Sequence, residues 1–117
     1  MTPTAELREE LRELLDEVIP EGGTENDTRF TDAQLDRLLG KNRNIYAAAA
    51  EGWTRKAAMF QREIGQIQSY SVGQEKYEMT KAKDLLEYAL AMAETYKNMA
   101  ASSIGSVVLR FKPPEVL

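Results

Sequence analysis

The residues equipped for chemistry are few in this sequence. Among its 117 residues there is no histidine and no cysteine, which removes imidazole bases, thiolate nucleophiles, disulfides and the usual zinc ligand sets together. Carboxylates remain. Glu6, Glu9, Glu10, Glu13, Asp16 and Glu17 crowd the N-terminal segment and are abundant enough for metal or acid-base work. Glu6 with Glu10 and Glu9 with Glu13, however, fall on one helix face near Arg8 and Arg12, and a solvated face is the better account. No phosphate-binding loop of the GxxxxGK type, no serine paired with a base and no EF-hand pattern occurs. The expectation is a protein that is not an enzyme and carries no cofactor and no metal.

Cations offer a second kind of chemistry. Lys41 and Arg43, in the turn between the second and third predicted helices, together with Arg55, Lys56 and Arg62 on the polar flank of the third, are the candidates for touching phosphates. Lys41 and Arg43 are the pair expected nearest a DNA backbone, in a contact blind to sequence. The competing reading is ordinary surface cations whose stems cover apolar flanks. Charge is unevenly laid out: residues 1–27 hold nine carboxylates against Arg8 and Arg12, a balance of −7, which leaves +3 for the remainder of a chain whose total is −4. That is not the clustered basic face of a nucleic-acid reader.

The elements that must position these residues are helical. One domain fits 117 residues and 13.2 kDa, and 43 % hydrophobic with 29 % charged residues is a globular composition. No apolar run approaches a membrane span, and the acidic MTPTAELREELRELL lacks the basic and apolar regions of a signal peptide; a soluble protein of a reducing cytosol is expected. Leu7, Leu11, Leu14, Leu15 and Val18 recur at helical spacing until Pro20 ends the run. In FTDAQL, Thr31 and Gln34 form a capping box and Phe30 with Leu35 a hydrophobic staple. They open a short helix over 32–39 that Gly40 should cap. A long helix is predicted over 45–70, with Ile45, Ala49, Trp53, Ala57, Phe60, Ile64 and Ile67 as its stripe. SVGQEKYEM breaks the pattern as an extended loop over 71–79. Thr80 then caps a fourth helix, 81–101, with Leu85, Leu86, Ala89, Met92, Ala93, Tyr96 and Met99 facing inward.

Two stretches stand out. In YAAAAEGW, an alanine run meets Gly52 and Trp53. Glycine inside a helix costs about 1 kcal/mol relative to alanine, so Ala48, Ala49 and Gly52 beside Trp53 predict a groove where a second helix crosses closely, either the fourth helix or the third helix of another subunit. From Gly105 the chain alternates as SVVLRF before Pro113 and Pro114, which predicts a lone strand in need of an edge supplied elsewhere. The fold class is therefore all-α: a bundle of about four helices with a long central hairpin in residues 1–104, and an extended C-terminal docking arm in 105–117.

Phe-Thr-Asp with Leu35, a glycine-containing turn, Tyr-Ala-Ala-Ala with Trp53 and Lys-Ala-Ala, and then Ser-Val-Gly within YSVGQEKYEMTKAKDLLEYALAMAETY span residues 30–96. This pattern resembles the head-to-tail adaptor proteins of long-tailed bacteriophages, also called head-completion or connector proteins. The resemblance implies a small α-helical virion protein that forms a ring, usually dodecameric, beneath the portal. Such a ring extends the DNA channel toward the tail. The implied partners are further copies of the chain, the portal protein, a tail-side neck or stopper protein, and double-stranded DNA passing non-specifically. The implied location is the neck of the virion, after synthesis in the host cytoplasm. In that setting Ile45, Ala48, Ala49, Gly52, Trp53 and Phe60 are expected to pack between subunits, and Val107, Val108, Leu109, Arg110 and Phe111 to dock on the portal or a neighbour. The charged first helix and the Pro-ended tail depart from the family pattern. The alternative is a small cellular helical adaptor that binds a partner by adding its C-terminal strand to a sheet.

Overall fold

The computed structural model describes residues 1–68 and 75–109, with side chains placed at 1–67 and 78–102. Four α-helices follow one another: α1 (Ala5–Leu15), α2 (Asp32–Lys41), α3 (Ile45–Gln68) and α4 (Glu75–Leu109), with a short 3-10 turn at Glu25–Asp27. Helices α3 and α4 pair antiparallel as a hairpin, and α1 and α2 cover one side of α3. The fold is all-α, as the periodicity predicts.

The starts of α1 and α2 have local causes. Thr4 Oγ1 accepts the Leu7 amide at the head of α1. At α2 the predicted capping box is formed in both directions: Gln34 N donates to Thr31 Oγ1 at 3.2 Å, and Thr31 N to Gln34 Oε1 at 2.8 Å. Phe30 and Leu35 are both buried, as the staple requires. Helix α1 stops in a Schellman turn: Glu17 N donates to Arg12 O at 2.8 Å and Asp16 N to Glu13 O at 3.2 Å, with Asp16 left-handed at φ 58°. Val18 thus leaves the helix and is exposed, contrary to its place in the predicted stripe.

Other boundaries also move. Gly40 lies inside α2, which runs on to Lys41 and ends at Asn42 in extended backbone; Asn42 Nδ2 satisfies the Leu38 carbonyl instead. Helix α4 starts at Glu75, so 75–79 are helical where an extended loop was expected, and Thr80 sits within the helix rather than at its cap. Residues 71–74 of that expected loop lie outside the described residues. At the far end α4 continues through Gly105 to Leu109, so Val107, Val108 and Leu109 are helical and not a strand. A single helical glycine costs only about 1 kcal/mol, too little to stop a helix already this long. Arg110, Phe111 and the rest of the expected arm lie outside the described residues.

The main core gathers Leu11 and Leu15 from α1, Phe30, Leu35, Leu38 and Leu39 around α2, Ala48, Ala49, Trp53, Ala57 and Phe60 from α3, and Ala89 from α4. Each of the large side chains contributes about 1.5–3 kcal/mol by leaving water. Past the reach of α1 and α2, the hairpin keeps a thin second cluster of Ile64, Ile67 and Ala82, flanked by Met79 and Leu86. The result is elongated, with a radius of gyration of 17.3 Å against about 13–14 Å for a compact domain of this length.

Candidate functional site

Gly52 answers what the alanine run admits. A Cβ at that position would lie 2.6 Å from Leu15 Cδ2 and 2.9 Å from Leu15 Cδ1, so the helix that comes close is α1 of the same chain. The sequence pointed to the fourth helix or another subunit; the close crossing is instead made by the N-terminal helix. Ala48, Ala49, Trp53 and Phe60 are buried in the chain's own core, and Ile45 packs against it half-buried.

The same crossing gathers a buried polar cluster that periodicity did not foretell. Trp53 Nε1 donates to Leu14 O at 3.0 Å, and Lys56 Nζ to Leu15 O at 2.7 Å. Two side chains of α3 thereby satisfy the last carbonyls of α1, where a cation also meets the negative end of the helix dipole. Lys56 is 5 % exposed; its ammonium pairs with Glu17 Oε2 at 2.7 Å and lies 4.2 Å from the Trp53 ring centroid. Glu17 Oε1 takes the Arg29 amide at 2.8 Å. Lys56, expected on a polar flank, is a core residue.

Arg12 makes a second knot. Placed by sequence on a solvated face, it is 1 % exposed, and its guanidinium donates to Glu17 O, Thr28 Oγ1, Phe30 O and Asp32 Oδ1 at 2.9–3.0 Å. A planar fork with several donors suits this task of holding a loop by its carbonyls. It ties segment 17–32 onto α1. Arg8 lies beside it, half-exposed, and bonds Asp36 through Nε and Nη2. No sequence signal marks Arg12 or Lys56 apart from neighbouring cations, because their partners are chain-distant. With every charged head of the cluster already bonded, it holds structure and offers no group to a substrate.

The candidate site that faces solvent is a groove of about 360 Å³ between α2 and α3. Phe30, Leu38 and Met59 give it an apolar floor, and Arg37 and Lys41 from α2 stand across from Arg55 and Arg62 from α3. Glu51 Oε2 receives Lys41 Nζ at 2.7 Å and Arg55 Nη2 at 2.9 Å, and Glu51 Oε1 receives Asn42 Nδ2 at 3.0 Å. Partial burial opposes ionisation of Glu51, but the hydrogen bonds from Lys41, Asn42 and Arg55 outweigh it and bring its pKa to about 2. One carboxylate is shared by two cations. Arg37 and Arg62, both exposed, have no ion pair among the described residues. The structure thus brings Lys41, Arg55 and Arg62 of the five predicted cations together, adds Arg37, and leaves Arg43 exposed in the 42–44 turn outside the groove lining.

On α4, Tyr96 stacks on Tyr46 with ring centroids 6.3 Å apart, and Tyr88 meets Trp53 edge-on at 5.4 Å. Burial, with Tyr88 and Tyr46 adding to it, pushes the Tyr96 phenol up. Leu85, Leu86, Met92 and Ala93 pack inward as expected, whereas Met99 is 38 % exposed, and Tyr88 and Leu90 more so. No group of acidic side chains that could hold a metal occurs among the described residues, and no helix there is long and apolar enough to cross a membrane. Comparison with protein-family models, curated proteins and solved structures returns no match.

Proposed function

We propose that the chain is a structural assembly protein of the head-to-tail adaptor kind. Its copies form a ring, dodecameric on the resemblance, beneath the portal of a long-tailed phage. The ring prolongs the DNA channel and meets a neck or stopper protein on the tail side. Its place is the virion neck, reached after synthesis in the host cytoplasm, and its action is assembly rather than catalysis.

The observation that carries this reading beyond the resemblance is the unfinished flank of α4. At 1.5 Å per residue this 35-residue helix is about 52 Å long, against about 36 Å for the 24 residues of α3. With Tyr96 opposite Tyr46, the last turns of α4 run past the start of α3, and Tyr88, Leu90 and Met99 stay exposed on it. Tyr88 and Leu90 lie beside α3, with Tyr88 against Trp53, and Met99 lies near the start of α3; large apolar side chains left exposed along one helix are a surface that neighbouring copies and the portal can complete. Because Ala48, Ala49 and Gly52 are used by the chain's own helices, lateral contacts fall to α4 and to charged outer faces. The chain's acidic balance of −4 suits a channel through which DNA slides without sticking. The portal docking expected of 107–111 and the cellular alternative both drew on a C-terminal strand, and 107–109 are helical.

The test is native mass spectrometry or cryo-electron microscopy of the purified chain mixed with its portal. A closed ring on the portal is expected. A chain that stays monomeric and ignores the portal overturns the proposal.

A further inference from the structure

Resting on that reading, we infer that copies join head to tail by charge, the acidic outer face of α1 on one copy seating in the basic groove between α2 and α3 of the next. Glu6, Glu9, Glu10 and Glu13 are all exposed, and no ion pair engages any of them among the described residues. At about 100° per residue they fall within one arc of α1. The groove offers the opposite charge over an apolar floor, with Arg37 and Arg62 in no ion pair among the described residues.

The two surfaces also match in length. Glu6 to Glu13 and Arg55 to Arg62 are each seven residues apart on a helix, about 10.5 Å at 1.5 Å per residue, so an acidic helix laid along α3 meets a cation at both ends of its charged run. The occupant is a second copy because this chain carries its excess of negative charge, −7 over residues 1–27, on the segment that includes α1. The face and the groove are different surfaces of one protomer, so each copy can give one and receive one; in the ring proposed here the contact is head to tail, and a reciprocal pair that stops at two copies would contradict it. Such contacts close into a ring when their rotation closes.

The experiment uses the full chain in sedimentation velocity. Variant A reverses the groove (Arg37→Glu with Arg62→Glu), and variant B reverses the helix face (Glu9→Arg with Glu13→Arg); all four positions are exposed, and circular dichroism checks that both variants keep the helical fold. Each variant alone is expected to lose self-association by at least about tenfold in Kd. An equimolar mixture should recover it, because B's basic helix fits A's acidic groove. Wild-type association should weaken at least about tenfold when salt rises from about 0.05 to about 0.5 M, as screening tightens. If either variant assembles like wild type, or the mixture does not recover, the docking is wrong. If rings still form on the portal with A and B, only this docking is overturned and the adaptor reading stands; if wild type neither self-associates nor binds portal, both fail. Loss of binding to a short DNA duplex in variant A, with self-association intact, would assign the groove to phosphates and overturn the inference.

Discussion

Replacing Lys56 by methionine keeps much of the side chain's bulk in the core and removes the ammonium. Glu17 is then left at 9 % exposure with its carboxylate facing an apolar thioether, and the Leu15 carbonyl loses its donor. Breaking a buried ion pair from one side costs about 3–5 kcal/mol, because the remaining charge is uncompensated. For 117 residues, an unfolding entropy of about 2.1 cal/mol/K per residue gives about 0.25 kcal/mol/K, so Lys56→Met should lower Tm by about 12–20 °C. The partner change separates a missing charge from a missing contact. Glu17→Gln together with Lys56→Met leaves no orphaned ion, and an ion pair replaced by neutral groups is often close to neutral in stability, so the double variant should recover well over half of the loss. Thermal and urea unfolding of wild type, both single variants and the double variant complete the cycle, with an unchanged urea slope showing that the folded state stays compact. A loss under about 1 kcal/mol for Lys56→Met, or a double variant no better than the sum of the singles, would mean that Lys56 and Glu17 do not meet in the interior.

Gly52→Ala sets two magnitudes against each other: alanine favours the helix by about 1 kcal/mol, while crowding the fully buried Leu15 costs about 1–3 kcal/mol. Net destabilisation of about 1 kcal/mol is expected in denaturant titrations, and a stabilised variant would refute the α1 crossing. Asp16→Gly should raise stability by about 0.5–1 kcal/mol, since glycine takes the left-handed turn at φ 58° without strain; a calorimetric scan that shows a loss contradicts the turn. The Glu51 carboxyl, depressed in the folded state to about 2 from an ordinary value of 4.5, contributes stability that is fully present above pH 4.5 and fades as pH falls through about 2. Solvent reaches both of its cations, so the contribution is about 1 kcal/mol. Wild type should lose that advantage over Glu51→Gln across this acid window, and parallel curves for the two proteins would exclude the shared contact with Lys41 and Arg55.

Features whose causes are local were legible in the sequence. Thr31 and Gln34 announce their reciprocal bonds within four residues, and the spacing from Ile45 to Ile67 gives both the existence of α3 and its buried stripe. The ends of helices were less legible, because Gly40 and Gly105 resemble stops yet cost less than the helix gains by continuing. Val107 to Leu109 is too short a run for alternation to decide against the helix that precedes it. Arg12 and Lys56 could not be singled out, since burial of a cation becomes tolerable only when carbonyls and carboxylates from distant segments converge on it. The groove was half visible: Lys41, Arg55 and Arg62 were marked as cations, but their meeting across α2 and α3, and the part of Arg37, depend on how α2 lies against α3.

The bonds from Trp53 and Lys56 to the end of α1 have a consequence for synthesis. Leu15 leaves the ribosome 41 residues before Lys56 does, and at about 5–20 residues per second that is a delay of about 2–8 s. Through that interval the N-terminal segment has its leucines but neither the indole nor the ammonium that finishes it, and an 11-residue helix is marginal alone. That segment therefore becomes permanent only once Trp53 and Lys56 are free to fold back on it, and a nascent chain halted before residue 56 should leave it open to proteases.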